Sequence, residues 1–375
     1  MMFKSLGPFF SFIIFTSISI VTLNCVWADH QTLTIQELML PEERKQTGIE
    51  KLNDQELQSL NLWLNKPTDT YCLRKQIVEN PDELTWVYET KNLREPENKH
   101  YFLSVCAIIQ NEADYLKEWI EYHKLLGVEH FWIYNHLSTD NYLEVLEPYI
   151  KRGEVDLIQW TVNKYPACQL TAYADGIQRA SGRTHWLALI DVDEFFVPHK
   201  QDSLIGFLKD YESFGQVLVN WQIFGTSNLK SLSSNELITE KLIEKFPTTF
   251  DSTWNSNYFV KAIVKPDQVV LPVISSHYYN LKPEFITVDG SKHSVKPYTR
   301  TNQVNIQEIQ LNHYWFRTLD YFYHVKMARR EEVGDKYPQQ LINWLLSKGR
   351  SEKDQSIQRF IPKLKNAMNE KGTVS

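Results

Sequence analysis

Between Tyr101 and Ile190 the chain repeats one beat, an apolar run followed by an amphipathic stretch, and few folds accommodate it. Phe102 to Ile109 is the first buried strand. Asp114 to Leu126 follows as a helix, with Leu116, Trp119, Ile120 and Leu126 on one face and Gly127 as its stop. Val128 to Tyr134 is the next strand. Ser138, Thr139 and Asp140 supply capping side chains for a helix from Tyr142 to Lys151, which Gly153 ends. Val155 to Trp160, Cys168 to Ala180 and Trp186 to Ile190 continue as strand, helix and strand. Units of roughly 25 residues imply right-handed crossovers and an α/β, doubly wound, mainly parallel sheet. Ligands bind such sheets outside the carboxyl ends of the strands. Those ends carry Gln110-Asn111-Glu112, Asn135 to Asp140, and Asp191-Val192-Asp193.

The fourth run, Trp186 to Pro198, is apolar until it breaks into Asp191, Asp193 and Glu194. If the strand continues, Asp191 and Asp193 share one side, about 7 Å apart. Two ionised carboxylates that close need compensating charge, and hard cations such as Mg²⁺ or Mn²⁺ prefer oxygen ligands. An Asp-x-Asp at a strand end therefore points to a metal that holds a diphosphate. His313, far downstream, is a candidate to complete the coordination shell, with His277 as second choice. Asn111, Glu112 and Asp140 are placed to face a base or ribose. Arg317 and Lys326 follow His313 at spacings that reach a diphosphate.

After Pro198 the beat is lost. Strands are expected at Val217 to Phe224, Tyr258 to Val264 and Val269 to Ser276, a loop over 282–307, then Leu311 to Trp315 and terminal helices. Residues 29–99 read as a stem or N-terminal elaboration. Residues 1–28 read as a signal peptide or membrane anchor, with Lys4 before an uncharged stretch and Val26-Trp27-Ala28 as a cleavage site. Anchoring is favoured over secretion after cleavage. A net charge of −6 gives no support to nucleic-acid binding, which normally wants a basic face. Beyond the leader, Cys72, Cys106 and Cys168 form neither a disulfide framework nor a metal motif. No glycine-rich phosphate loop follows the early strands, which speaks against a dinucleotide enzyme or a P-loop NTPase.

Together these residues resemble glycosyltransferase family 92. The resemblance runs through Gln110-Asn111-Glu112, Tyr115 to His123, Leu126 to Phe131, Leu146 to Ile150 and Leu189 to Phe195. It continues through Phe224-Gly225-Thr226-Ser227, Lys261 to Pro266 and Leu311-Asn312-His313-Tyr314. It implies a GT-A type domain over 100–330, followed by a C-terminal helical extension over 331–375. It also implies a nucleotide-sugar donor (a UDP-sugar), a divalent cation, transfer with inversion, a galactosyl theme and type II membrane topology. On this reading Asp191, Asp193 and His313 hold the metal, and Asn111, Glu112, Asp140, Asp191, Lys261, Arg317 and Lys326 hold the donor. An inverting enzyme needs one carboxylate as general base for the acceptor hydroxyl. Glu240 stands where the family carries an acid, with Asp251 and Asp289 as the other candidates. Trp221, Trp254 and Trp315 are candidate stacking surfaces for a glycan acceptor. The chain departs from the family at Asn135 to Asp140, where an acidic, Asn-rich loop is usual. Two rival readings are a catalytically inactive carbohydrate-binding surface protein and a sugar-phosphate nucleotidyltransferase.

Overall fold

The computed structural model describes residues 100–160, 167–233, 235–249, 256–271, 273, 275–332 and 336–369, plus a two-residue pairing of Phe12–Ile13 with Thr22–Leu23. The leader and stem expected at 1–28 and 29–99 otherwise lie outside the described residues, as do Asp251 and Trp254.

The first half follows the periodicity. Strand β1 (Tyr101–Ile109), helix α1 (Ala113–Leu125), β2 (His130–Asn135), α2 (Tyr142–Lys151), β3 (Val155–Gln159), α3 (Ala167–Ala180) and β4 (Thr184–Leu189) alternate as expected. Helix α1 carries Asp114 in its first turn and Lys124 in its last, which suits the helix dipole. Gly127 sits at φ +99°, and a Cβ there would come within 2.7 Å of Ile205, so the expected stop is real.

The second half supplies β5 (Glu194–Pro198), β6 (Gln216–Ile223), β7 (Val260–Val264), β8 (Thr287–Asp289) and β9 (Ile309–His313). Among the described residues nine strands form one sheet in the order β3-β2-β1-β4-β7-β6-β9-β5, with β8 beside β6. Strands β1 to β4 are parallel where they pair, β6 is parallel to β8 and β9, and β7 and β5 run antiparallel to their neighbours. The sheet is therefore doubly wound and mainly parallel, the architecture expected of a GT-A type domain.

Three local expectations change. The carboxylates do not continue the strand expected at Trp186 to Ile190: β4 ends at Leu189, and β5 departs to the far edge of the sheet beside β9. Asp191 and Asp193 thus lie in a turn, closed by Glu194 N–H donating to Asp191 O at 3.1 Å, and not in line along a strand. No strand forms over the described residues of Val269 to Ser276, where Val269 meets only Leu281 in an isolated bridge. Pro272, which has no backbone donor, interrupts that run. The stretch 282–307 is organised by the Asp289 carboxylate, which accepts from Ser291 N at 2.8 Å, His293 N at 3.0 Å and Asn305 Nδ2 at 2.9 Å.

Apolar side chains fill both faces of the sheet. Leu103, Val105, Trp119 and Ile120 belong to the larger core. Cys106, Trp132, Tyr173 and Leu189 lie in the smaller one, with α3. Helices α4 (Gln339–Lys348) and α5 (Ile361–Asn369) place Trp344, Leu345 and Leu364 in the larger core, so the C-terminal helices share it. Each such side chain contributes about 1.5–3 kcal/mol on burial. The edge strand β5 is covered: Trp119 Nε1 donates to Glu194 O at 2.9 Å, Tyr122 OH to Phe196 O at 2.7 Å, and the Arg359 guanidinium to Pro198 O.

Candidate active site

Parallel strands β1, β2 and β4 end on one rim, and the antiparallel β7 begins there, so residues distant in sequence meet around the turn after β4. The Asp191 carboxylate accepts on Oδ1 from Gln169 Nε2 at 2.8 Å and Tyr173 OH at 3.0 Å, both on α3. Its Oδ2 accepts from Lys261 Nζ of β7 at 3.0 Å. Lys261 also lies 3.6 Å from Glu194 Oε2, which accepts the Asp191 N–H at 2.8 Å. Asp193 is met from the other side: Lys326 Nζ donates to Oδ2 at 3.0 Å, and His313 Nε2 lies 3.4 Å from Oδ1. His313 ends β9 with its ring 4.4 Å from that of Trp221. Lys326 sits in a π-helical turn, Phe322–Met327, an irregularity common at functional sites.

Three acidic side chains within four positions cannot all be ionised and buried without partners. Burial pushes the Asp193 carboxyl up, but Lys326 and then His313 outweigh it and hold the group well below the usual range. Burial pushes Glu194 well above the usual range. Lys261 opposes that, while the charges of Asp191 and Asp193 add to it. Burial works against the charge on Lys261, yet Asp191 and Glu194 hold its pKa above the ordinary value. The cluster of acids thus faces two buried lysines, Lys261 on Asp191 and Lys326 on Asp193.

Next to this cluster, Arg317 is fully buried at φ +48°, its guanidinium 3.7 Å from the Tyr115 ring and 4.3 Å from that of Tyr321. Nη2 pairs with Glu112 Oε2 at 2.6 Å, while Nε and Nη1 have no hydrogen-bond partner. A positive φ at a buried non-glycine residue stores strain, and such strain gathers at functional sites.

The structure brings together Asp191, Asp193, His313, Lys261 and Lys326, with Glu112 and Arg317 beside them. It sets the other candidates apart. Asn111 Oδ1 accepts from Thr139 N at 2.7 Å, and Asn111 N donates to Ser138 Oγ at 2.9 Å, so this side chain ties two rim loops together. Asp140 Oδ2 accepts from Ala113 N at 2.8 Å and caps α1; toward its own helix Oδ1 reaches only Tyr142 N, at 3.4 Å. Glu240 is held in an ion pair with Lys365 on the C-terminal helix at 2.5 Å, away from the carboxylates. Asp289 is consumed by its own loop. His277 Nδ1 bonds Val260 O at 2.7 Å. Trp221 and Trp315 are buried, with no open face for a sugar. Sequence reasoning missed Gln169, Tyr173 and the role of Glu194 beside Lys261. The first two lie four residues apart on α3, a spacing that puts both on one helix face.

Among the described residues no group of three His, Cys, Asp or Glu side chains converges as a ready metal site. The residues nevertheless fit a divalent cation. Both ring nitrogens of His313 are buried without a hydrogen-bond partner, and Nε2 points at Asp193 Oδ1. Two cis ligands, each about 2.1 Å from one hard cation, lie about 3.0 Å apart, so the 3.4 Å gap would close by a few tenths of an ångström around one.

The class that this fold and rim define is an α/β domain of GT-A type. The model of glycosyltransferase family 92 matches residues 100–345, more than half of the chain, and the chain belongs to that family. A glycosyltransferase family 92 protein of Ricinus communis is 27% identical over 200 residues, which cover 52% of this chain and 34% of that protein. One from Oryza sativa subsp. japonica is 27% identical over 241 residues, 60% of this chain and 36% of the relative. The chain thus spans about a third of the length of these relatives. The crystal structure of S. aureus TarS 1-349 is 13% identical, with 66% of this chain and 70% of that chain covered at a TM-score of 0.34, too low to bear on function.

Proposed function

We propose that this chain transfers a hexose from a nucleotide-sugar, of UDP type, to a glycan hydroxyl with inversion, assisted by Mn²⁺ or Mg²⁺. The observation that supports this most is the meeting of Asp193, His313 and Lys326 at the rim. Asp193 and His313 would be direct ligands of the cation, with Asp191 beside them and the remaining positions filled by diphosphate oxygens and water. When bound, the cation neutralises charge on the leaving diphosphate. Lys326 and Arg317, whose Nε and Nη1 have no hydrogen-bond partner, would donate to the same diphosphate. Gln169 and Tyr173 fix the rotamer of Asp191, and Lys261 donates to its other oxygen. For the base we propose Asp251, on its place in the sequence, since Glu240 is taken by Lys365. It would accept the acceptor's proton as the hydroxyl oxygen bonds to the anomeric carbon and the electron pair of the breaking bond leaves on the diphosphate. Galactose as the sugar and an uncleaved N-terminal anchor belong to the same reading. Among the described residues no helix is long and apolar enough to cross a membrane.

Calorimetric titration of UDP with and without Mn²⁺ tests the site. Asp193→Ala should abolish the Mn²⁺-dependent part of binding, and Asp251→Asn should keep binding but lose turnover with labelled UDP-sugars. Unchanged Mn²⁺-dependent binding in Asp193→Ala would refute the assignment.

A further inference from the structure

The rim has two flanks. The loops after β1 and β2 occupy one side of Asp191, and the start of β7 occupies the other, because the sheet order places β1 and β7 on opposite sides of β4. On the β7 flank, a continuous set of ring contacts runs outward from the site. His313 packs on Trp221 at 4.4 Å, Trp221 on Phe259 at 5.4 Å, and the Arg300 guanidinium lies 5.2 Å from the Phe259 ring and 5.5 Å from that of Tyr258. The inner members are buried, whereas Tyr258, Arg300, Tyr298 and Tyr278 are half-buried and keep surface open to solvent.

These outer side chains share a face for a backbone reason. Phe259 and Arg300 form an antiparallel bridge, and Val260 N donates to Thr299 O, so the segment around 298–300 is extended. Alternation turns Thr299 inward, where it is fully buried, and turns Tyr298 and Arg300 outward. Tyr278 faces Tyr298 with ring centroids 6.3 Å apart. The buried Asn220 side chain locks the platform: Nδ2 donates to Thr301 Oγ1 at 2.7 Å and Asn257 O at 3.1 Å, and Oδ1 accepts from Asn305 N at 3.0 Å. The band is held rigid from below.

We infer that this band is the acceptor subsite, taking a pyranose ring of a glycan by stacking on Tyr298 and Tyr278, with Arg300 donating to its hydroxyls. Rings offer flat apolar area with a polar tip, which suits the C–H face of a sugar, and a planar guanidinium fork suits paired oxygens. The position fits inversion, because acceptor and nucleotide must approach the transferred sugar from opposite sides. This inference rests on the transferase reading above.

The test is saturation-transfer NMR titration of the protein, preloaded with UDP and Mn²⁺, with galactotetraose, cellotetraose and xylotetraose. At least one tetraose should bind, and Tyr298→Ala and Arg300→Gln should each weaken it about five-fold or more, the scale of one lost stacking or charged contact. Tyr298→Phe, which keeps the ring, should retain binding, and this separates stacking from a folding defect. UDP affinity should stay unchanged in all three variants. If no tetraose binds at 10 mM (about the weakest affinity such a contact set leaves), or the variants bind as the parent does, the subsite is overturned. Loss of UDP binding by the parent would instead overturn the transferase reading.

Discussion

Replacing Lys326 by Met isolates the charge that holds Asp193 ionised. Methionine keeps most of the apolar stem, so the change removes the ammonium and little packing. The Asp193 side chain is only 6% exposed and would keep His313 at 3.4 Å and the more distant charge of Arg317. Breaking a buried pair from one side costs about 3–5 kcal/mol. At about 2–4 °C per kcal/mol for a domain of this size, the melting temperature should fall by about 6 °C or more. The pH dependence carries the sign. The Asp193 carboxyl is depressed in the folded protein, so its contribution is present above the ordinary carboxylate range and lost as pH falls through the lowered folded value. Without Lys326 the folded value rises toward the ordinary range, so the part of the acid limb that Asp193 contributes should shrink. A cation can take over the missing charge, so Mn²⁺ alone should raise the melting temperature more in Lys326→Met than in the parent. Differential scanning fluorimetry across pH, with and without Mn²⁺, reads all three effects. A fall below about 2 °C (under 1 kcal/mol) with an unchanged acid limb would refute the view that Lys326 keeps Asp193 charged.

His313→Ala should weaken Mn²⁺-dependent UDP binding by about ten-fold or more, whereas His277→Ala, whose Nδ1 is bonded to Val260 O, should leave the Mn²⁺ dependence intact. Equal effects in calorimetry would remove His313 from the metal shell. Glu118→Ala strips the buried carboxylate that accepts from Ile238 N and Thr239 N, both at 3.0 Å, and from Thr239 Oγ1 at 2.6 Å. Urea unfolding should show a loss of about 3 kcal/mol, and a change under 1 kcal/mol would contradict the capping role. Gly225→Ala would place a Cβ 2.2 Å from Gly349 O, a backbone atom that cannot swing away. We expect about 3 kcal/mol of destabilisation in the same assay, and near-parental stability would show that the two segments separate freely.

Much of the first half was legible because its signals are local. The apolar periods from Phe102 to Ile190 translated into β1 to β4 and α1 to α3 nearly residue for residue, since each element buries a face set by its own sequence. The family motifs contain Asp191, Asp193 and His313, which the fold brings to one rim. Partners distant in the chain were not legible. Asp140 reaches across to Ala113 N at the start of α1. Glu240 meets Lys365, a residue 125 positions away. The run of apolar residues on both sides of the carboxylates did not reveal that β5 leaves β4 for the far edge of the sheet, because strand pairing is set by contacts distant in sequence.

The sequence by itself determined the α/β alternation, the family and the two aspartates, all of which depend on neighbours in the chain. Only the tertiary structure decided which charges meet those aspartates. Lys261 lies 70 residues from Asp191, and Lys326 lies 133 residues from Asp193. That choice depends on the antiparallel entry of β7, the placing of β5 beside β9 and the π-helical turn after Arg317. An ion pair is specified by a distance of a few ångströms in space, and no pattern along the chain encodes it until the sheet has closed.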